Sequence, residues 1–338
     1  MDWNKGFSAL YALQKVDPVS WQDAGSFDLL NGTISRSSGG LVESADLTMT
    51  ENPGECWVRV YLQARQGNGG ERVPLFTGLA SAPQRSLNGN SVSYRVACYS
   101  ALKPIDDVLT PRGFFIPAGV RGADAAAELL QIGPAPVEFE AFSPTLREPI
   151  VSEDKDTYLT MAQKILDVIG WRLYIGGDGR ISIQRKATTE SAVFDEHEND
   201  SIEVSLTDTN DWYSAPNCIR VIFGSDCVEL KDETVGDDLS IPSRKRARGG
   251  SGEIWAQEKA TSLSDDATLE EYAARRLKEL QSPTRKISYS RRFRPDVTIG
   301  DKVRLHLPGH GIDDVFTVTT QRVTLGYNAR VTEEAEKA

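Results

Sequence analysis

The chain has 338 residues, of which 39% are hydrophobic and 26% charged, and it carries a formal net charge of -11. Those values describe a globular protein of two or three domains, with no apolar run near the ~18 residues that a membrane span needs. The acidic balance argues against a free-standing nucleic-acid binder, and Met1–Lys5 lacks the basic and then apolar pattern of a secretory signal.

Residues 1–103 read as β structure. Cys56–Leu62 is rich in branched and aromatic residues. Val73–Gly78 returns after the turn at Gln66–Gly70, and Val92–Tyr99 follows the turn at Leu87–Asn90. In that last strand Val92, Tyr94, Val96 and Cys98 alternate toward one face. Phe27–Leu30 and Ile34–Ser37 are shorter strand candidates. Several short strands with Gly/Asn turns indicate a barrel or a sandwich.

Residues 104–199 change character. Gly122–Ile132 reads as a short helix stopped by Gly133 and Pro134. A Pro-rich connector leads to a helix at 157–169, with Leu159, Ala162, Ile165, Leu166 and Ile169 on one face. Asp154 or Asp156 can cap it, and Gly170 can end it in the left-handed conformation. A hairpin at 171–184 turns at Gly176–Gly179.

Residues 200–331 return to β structure. Strands are expected at Ile202–Leu206 and Asn217–Phe223, around a polar turn holding Trp212 and Tyr213. Residues 231–252 read as a mobile loop ending in the basic run Arg244–Arg248. A helix at 267–280 places Leu269, Ala273, Leu277 and Leu280 on one side, with Glu271 and Arg275 spaced for an ion pair. Strands follow at 285–292, 302–307 and 315–325, and the acidic residues 332–338 read as a flexible tail. The fold class is therefore α+β, mostly β.

No catalytic constellation accompanies this plan. His306 and His310 are separated by Pro308-Gly309 and do not share a helix face, as a zinc-binding H-E-x-x-H motif requires. The acidic run Asp195–Asp200 lacks the alternating ligands and central glycine of a calcium loop. The four cysteines, Cys56, Cys98, Cys218 and Cys227, form no CxxC pair. Cys56 and Cys98 read as small buried hydrophobes. There is no nucleophile elbow and no P-loop. Glu138 and Glu140 flank Phe139, but paired carboxylates are too common among 49 acidic residues to signal glycoside cleavage. The Arg244–Arg248 cluster reads as a contact for an acidic neighbouring subunit or as a solvated face. No cofactor and no metal are expected.

Four local signals resemble a known family. They are Ser8–Tyr11 with Val16-Asp17-Pro18 and Trp21; Ile34–Ser37 with Glu43–Asp46; the Leu159–Ile183 helix and hairpin; and Arg294-Pro295 followed by Gly300-Asp301 before a strand. In this order they resemble the hub proteins of phage tails and baseplates, more narrowly those of defective-prophage and tailocin clusters of Gram-positive type. The resemblance implies two tube-like β-barrel domains, at 1–103 and 200–331, around a small insert at 104–199. It implies a homotrimeric ring with an axial channel, matching a six-fold tail tube to a three-fold spike. The partners implied are the tail tube protein or a tube-initiating ring, a spike or tip protein and other baseplate proteins. No membrane and no sequence-specific nucleic acid are implied. The place implied is the tail tip or baseplate of a particle assembled in the bacterial cytoplasm. Trp57, Tyr61, Trp212, Tyr213, Arg291 and Arg292 are the candidate assembly contacts, with core packing the competing role for the aromatics. Two other readings compete with the hub: a tail-associated peptidoglycan hydrolase using a carboxylate such as Glu138, and a carbohydrate-binding β module stacking sugars on Trp212 and Trp255.

Overall fold

The computed structural model describes all residues except 4, 39–41, 141–142, 186–188, 196–201, 203–212, 261–267, 282–285, 327–329 and 338. The chain forms two compact units, Met1–Leu206 with Ile287–Ala338, and Thr207–Lys286.

The first unit begins with seven strands: β1 (Ser8–Val16), β2 (Asp23–Phe27), β3 (Leu29–Ser37), β4 (Val42–Met49), β5 (Cys56–Gln66), β6 (Gly69–Asn88) and β7 (Ser91–Ser100). The alternation seen in the sequence sets their faces. Val58, Val60, Leu62 and Ala64 of β5 point into one core with Val96 and Cys98 of β7. Burial pushes the Cys98 thiol up to about 12, so this cysteine behaves as an apolar side chain.

The insert follows within the same unit: α1 (Lys103–Asp106), β8 (Phe115–Ile116), α2 (Gly122–Leu130), β9 (Val137–Phe139), β10 (Ile150–Val151), α3 (Tyr158–Ile169), β11 (Trp171–Ile175), β12 (Ile181–Arg185) and then β13 (Glu190–Asp195). Leu159, Met161, Ala162, Ile165 and Leu166 of α3 are buried, in a core shared with Ala123, Ala126, Ala127 and Leu130 of α2. The α3 N-cap is neither Asp154 nor Asp156. Thr157 takes that place, accepting from the Thr160 N–H while the Thr160 hydroxyl returns the bond in a capping box. Asp156 is buried beneath it and paired with Lys164 at 2.7 Å. Gly170 closes the helix at φ 70°, as expected.

The second unit carries β14 (Cys218–Phe223), β15 (Asp226–Lys231), α4 (Ile241–Arg248), β16 (Trp255–Lys259) and α5 (Leu269–Gln281). Its sheet has the order β15-β14-β16. Ala273 and Leu277 of α5 pack on Ile219 and Val221 of β14. So α5 covers this small sheet, and residues 231–252 hold a helix where a loop was expected. Glu271 does not pair with Arg275: it accepts from the Thr268 N–H at the start of α5, while Arg275 faces Glu279.

The chain then returns to the first unit with β17 (Lys286–Arg292), β18 (Lys302–Leu307) and β19 (Ile312–Leu325), and ends on β20 (Arg330–Lys337). Residues 332–337, expected as a flexible tail, are strand. They pair with β19, and Glu333 and Ala335 are fully buried. Strands from both ends of the chain form one twelve-stranded sheet, β13-β18-β19-β3-β4-β7-β6-β5-β1-β2, with β20 and β17 attached through β19. Among the described residues the path is open and does not close into a barrel. It does bury two separate apolar cores, one under β1–β7 and one among β13 and β17–β20.

A row of buried polar side chains crosses the sheet between these cores. Glu43 of β4, Arg36 of β3, Gln321 of β19 and Glu333 of β20 stand opposite one another in register. Arg36 donates to Glu43 at 2.8 Å and to the Gln321 side-chain oxygen at 2.6 Å. Gln321 donates to Glu333 at 2.8 Å, and Arg291 of β17 grips the same carboxylate through two bonds of 2.6 and 2.7 Å. On each strand the row divides one core from the other. Val331 and Ala335 flank Glu333, Phe293 and Tyr289 flank Arg291, and Val323 and Val318 flank Gln321.

Two predictions follow from that row. Glu333→Gln leaves the Arg291 charge buried without its counter-ion, and its expected cost is about 3–5 kcal/mol of unfolding free energy in urea titrations; a cost below about 1 kcal/mol would show that the pair does not hold the lobes together. Burial holds the Glu43 carboxyl above its ordinary range, against the opposing pull of Arg36. Folded Glu43 therefore keeps its proton more tightly than unfolded Glu43, and its contribution to stability falls as pH rises through the folded value. The cost of Glu43→Gln should accordingly be larger near about pH 4 than near about pH 7. Denaturation curves showing the opposite slope would contradict this.

Candidate assembly surfaces

Trp57 and Tyr61, read from the sequence as candidate contacts, lie with Arg59 on the face of β5 that meets the insert. Trp57 is buried against Trp21, with ring centroids 5.1 Å apart. Arg59 donates to the Asp178 carbonyl at 3.0 Å, and the Trp21 indole N–H donates to the same oxygen at 2.9 Å. The Thr77 hydroxyl donates to the Gly177 carbonyl at 2.9 Å. Gly177 must be glycine here, because a Cβ would stand 2.0 Å from the Pro74 carbonyl oxygen. Tyr61 is half-buried; its hydroxyl bonds Asp23 and its ring lies 3.6 Å beneath the Arg72 guanidinium.

This docking explains the Val16-Asp17-Pro18…Trp21 signal. Asp17 accepts from the Val19 and Ser20 N–H groups, and the Trp21 N–H returns to the Asp17 carbonyl. Those bonds hold Trp21 at φ 58°, unusual for a side-chain-bearing residue, with its indole aimed at the hairpin turn. The Gly300-Asp301 signal has a matching cause. Gly300 sits at φ 78°, and a Cβ there would fall 1.9 Å from a guanidinium nitrogen of Arg172, on β11. Arg172 reaches Asp301 at 4.0 Å, and Asp301 accepts from the Thr298 N–H. Both distinctive stretches of the sequence thus meet at the insert hairpin.

The remaining candidates divide. Arg291 is buried in the polar row, so its partner is Glu333 of the same chain and not a neighbouring subunit. Arg292 is half-buried beside Gly6. Trp212 lies outside the described residues. Tyr213 is 81% exposed, with the Arg248 guanidinium 4.9 Å from its ring. Trp255, on β16, is exposed, with Arg220 and Lys231 within 6 Å of its ring. Features missed in the sequence are the basic helix α4, with Lys245, Arg246 and Arg248 exposed, and the sheet ends. At one end β2 pairs only with β1, and Asp23–Ser26 are exposed. Such edges can take a further strand. The hairpin of β6 and β7 also carries an exposed tip around Leu87.

Nothing in this geometry resembles a catalytic centre. Glu138 pairs with Arg180, and Glu140 faces Arg185. A groove of about 720 Å³ along α2 has Arg121, Asp124 and Glu128 as its charged lining and no serine, cysteine or histidine. Among the described residues no cluster of three or more His, Cys, Asp or Glu could hold a metal ion.

No protein-family profile and no curated protein sequence matches the chain. Solved structures do. The tail protein from Neisseria meningitidis MC58 superposes with a TM-score of 0.70 at 15% identity, covering 98% of this chain and 97% of that one. The 43 kDa tail protein of prophage MuSo2 from Shewanella oneidensis gives 0.67 at 13% identity, covering 97% and 98%. An E. coli component of the type VI secretion system, described as structurally similar to the T4 bacteriophage tail proteins gp27 and gp5, gives 0.50 at 8% identity, covering 92% and 74%. The chain has the fold of phage tail and baseplate proteins.

Trp57→Ala should destabilise the isolated chain by about 3–5 kcal/mol through the cavity it leaves, whereas a pure assembly contact would leave the melting curve unchanged. Gly177→Ala should cost about 1–3 kcal/mol, as overpacking does, by lifting the hairpin turn from Pro74. An unaltered urea midpoint would show that the turn is not seated there.

Proposed function

We propose that this chain is a structural hub of a phage or phage-like tail. In this reading three copies form a ring that matches a six-fold tail tube to a three-fold spike around an axial channel. The observation that carries it is the pair of apolar cores beneath one sheet, built from both ends of the chain, in a fold shared with tail proteins. Two β lobes per copy let three copies present six similar surfaces. The lobes stand for the two tube-like domains that the resemblance implies, with residues 207–286 as an appended unit. The tail tube or its initiating ring, a spike and other baseplate proteins are the partners of such a ring. Its place is the tail tip or baseplate. Its work is binding and symmetry matching, with no turnover.

The open sheet and its exposed edge at β2 support association by added strands. The acidic net charge of -11 keeps the wall of a channel from adhering to passing nucleic acid. Light scattering of the purified chain should give three times its 37.1 kDa mass. A monomer at every concentration, with or without a tail tube partner, would contradict the ring.

A further inference from the structure

Two surfaces of opposite character lie on the two units of this chain. The first is one end of the unit 207–286. There α4 carries four cations in eight residues and no carboxylate. Lys245 and Arg246 are exposed, Arg248 lies against the exposed ring of Tyr213, and Gly252 packs on the α4 backbone three residues before exposed Trp255. Buried Asn217 ties this end together, bonding the Leu239 and Gly252 carbonyls and the Ile254 N–H.

The second is a corner of the other unit, where the end of α1 meets the approach to α3. Leu109 bridges Thr157, Val108 accepts from the Tyr158 N–H, and Phe115 pairs with Val151 across β8 and β10. Leu109, Phe115 and Val151 are each more than half exposed. Around them stand the exposed carboxylates Asp106, Asp107, Glu153 and Asp154, offset in part by Lys103 and Lys155.

We propose that these surfaces meet between neighbouring copies: the basic, aromatic end of one chain's 207–286 unit docks on the acidic, apolar corner of the next chain. This rests on the ring reading above and deepens it. Copies that each carry a net charge of -11 repel one another, so they associate through patches where the local sign is complementary. Tyr213 and Trp255 opposite Leu109, Phe115 and Val151 supply the apolar centre of such a contact, and the charges form its rim. Because the two patches differ, the contact is head-to-tail and propagates around a ring until it closes.

Sedimentation velocity on the full chain tests the pairing. K245E/R246E should weaken self-association at least about tenfold, E153K/D154K should do the same, and the four changes together should restore it. The milder Lys245→Gln with Arg246→Gln should give a smaller loss in the same direction. Restoration in the combined variant cannot come from misfolding. Rings that persist in both charge-reversed variants, or a loss that the combination does not repair, would overturn this pairing and leave the ring itself standing. A wild-type chain that never self-associates would overturn both.

Discussion

The organisation of the larger unit depends on one transverse row of charge. Glu43, Arg36, Gln321 and Glu333 face one another across four adjacent strands, and Arg291 completes the row from β17. Each member is nearly or fully buried. Carboxylates and guanidinium groups are costly to bury, and a buried pair is no guarantee of extra stability over an apolar replacement. What the row does impose is register. A one-residue slip of β19 or β20 would turn Gln321 or Glu333 to the opposite face and leave a charge buried without its partner. The row therefore fixes how the strands from the end of the chain add to those from its beginning, and it marks the line where one apolar core gives way to the other.

The insert obeys a second constraint, close approach. Its hairpin turn touches the sheet where only glycine fits, at Gly177, and its strand β11 lays Arg172 over another glycine, Gly300. The hairpin thus contacts strands from both ends of the chain. Tyr174 on the same strand lies near Arg36 and Glu43, and burial raises its hydroxyl pKa. Charge row, glycine turns and stacked tryptophans together make the sheet and insert one body, as a component that must keep its shape within an assembly requires.

Much of this was legible in the chain. The period of α3, its glycine stop, the following hairpin and the alternation in β5 and β7 are local signals, and they sit close to where they were read. The absence of any nucleophile, base or metal-ligand spacing was equally plain. What could not be read depends on distant partners. Glu333-Glu334-Ala335-Glu336 looks like a solvated tail until Arg291 and Gln321 stand beside Glu333. Arg36 and Gln321 are separated by 285 positions. Trp57 and Arg291 suggested contacts because an aromatic or a cation on a strand carries no mark of which face it occupies. The Arg244–Arg248 run suggested a loop because glycines follow it and its helix has no continuous apolar stripe, only Arg244 buried.

Two lobes on one sheet, offered three times around an axis, are the centre of this account. End-on electron-microscopy averages of the purified oligomer measure that arrangement directly. The account predicts three-fold particles with six similar lobes around a central opening. Particles of another symmetry, or three-fold particles closed at the axis, would contradict it.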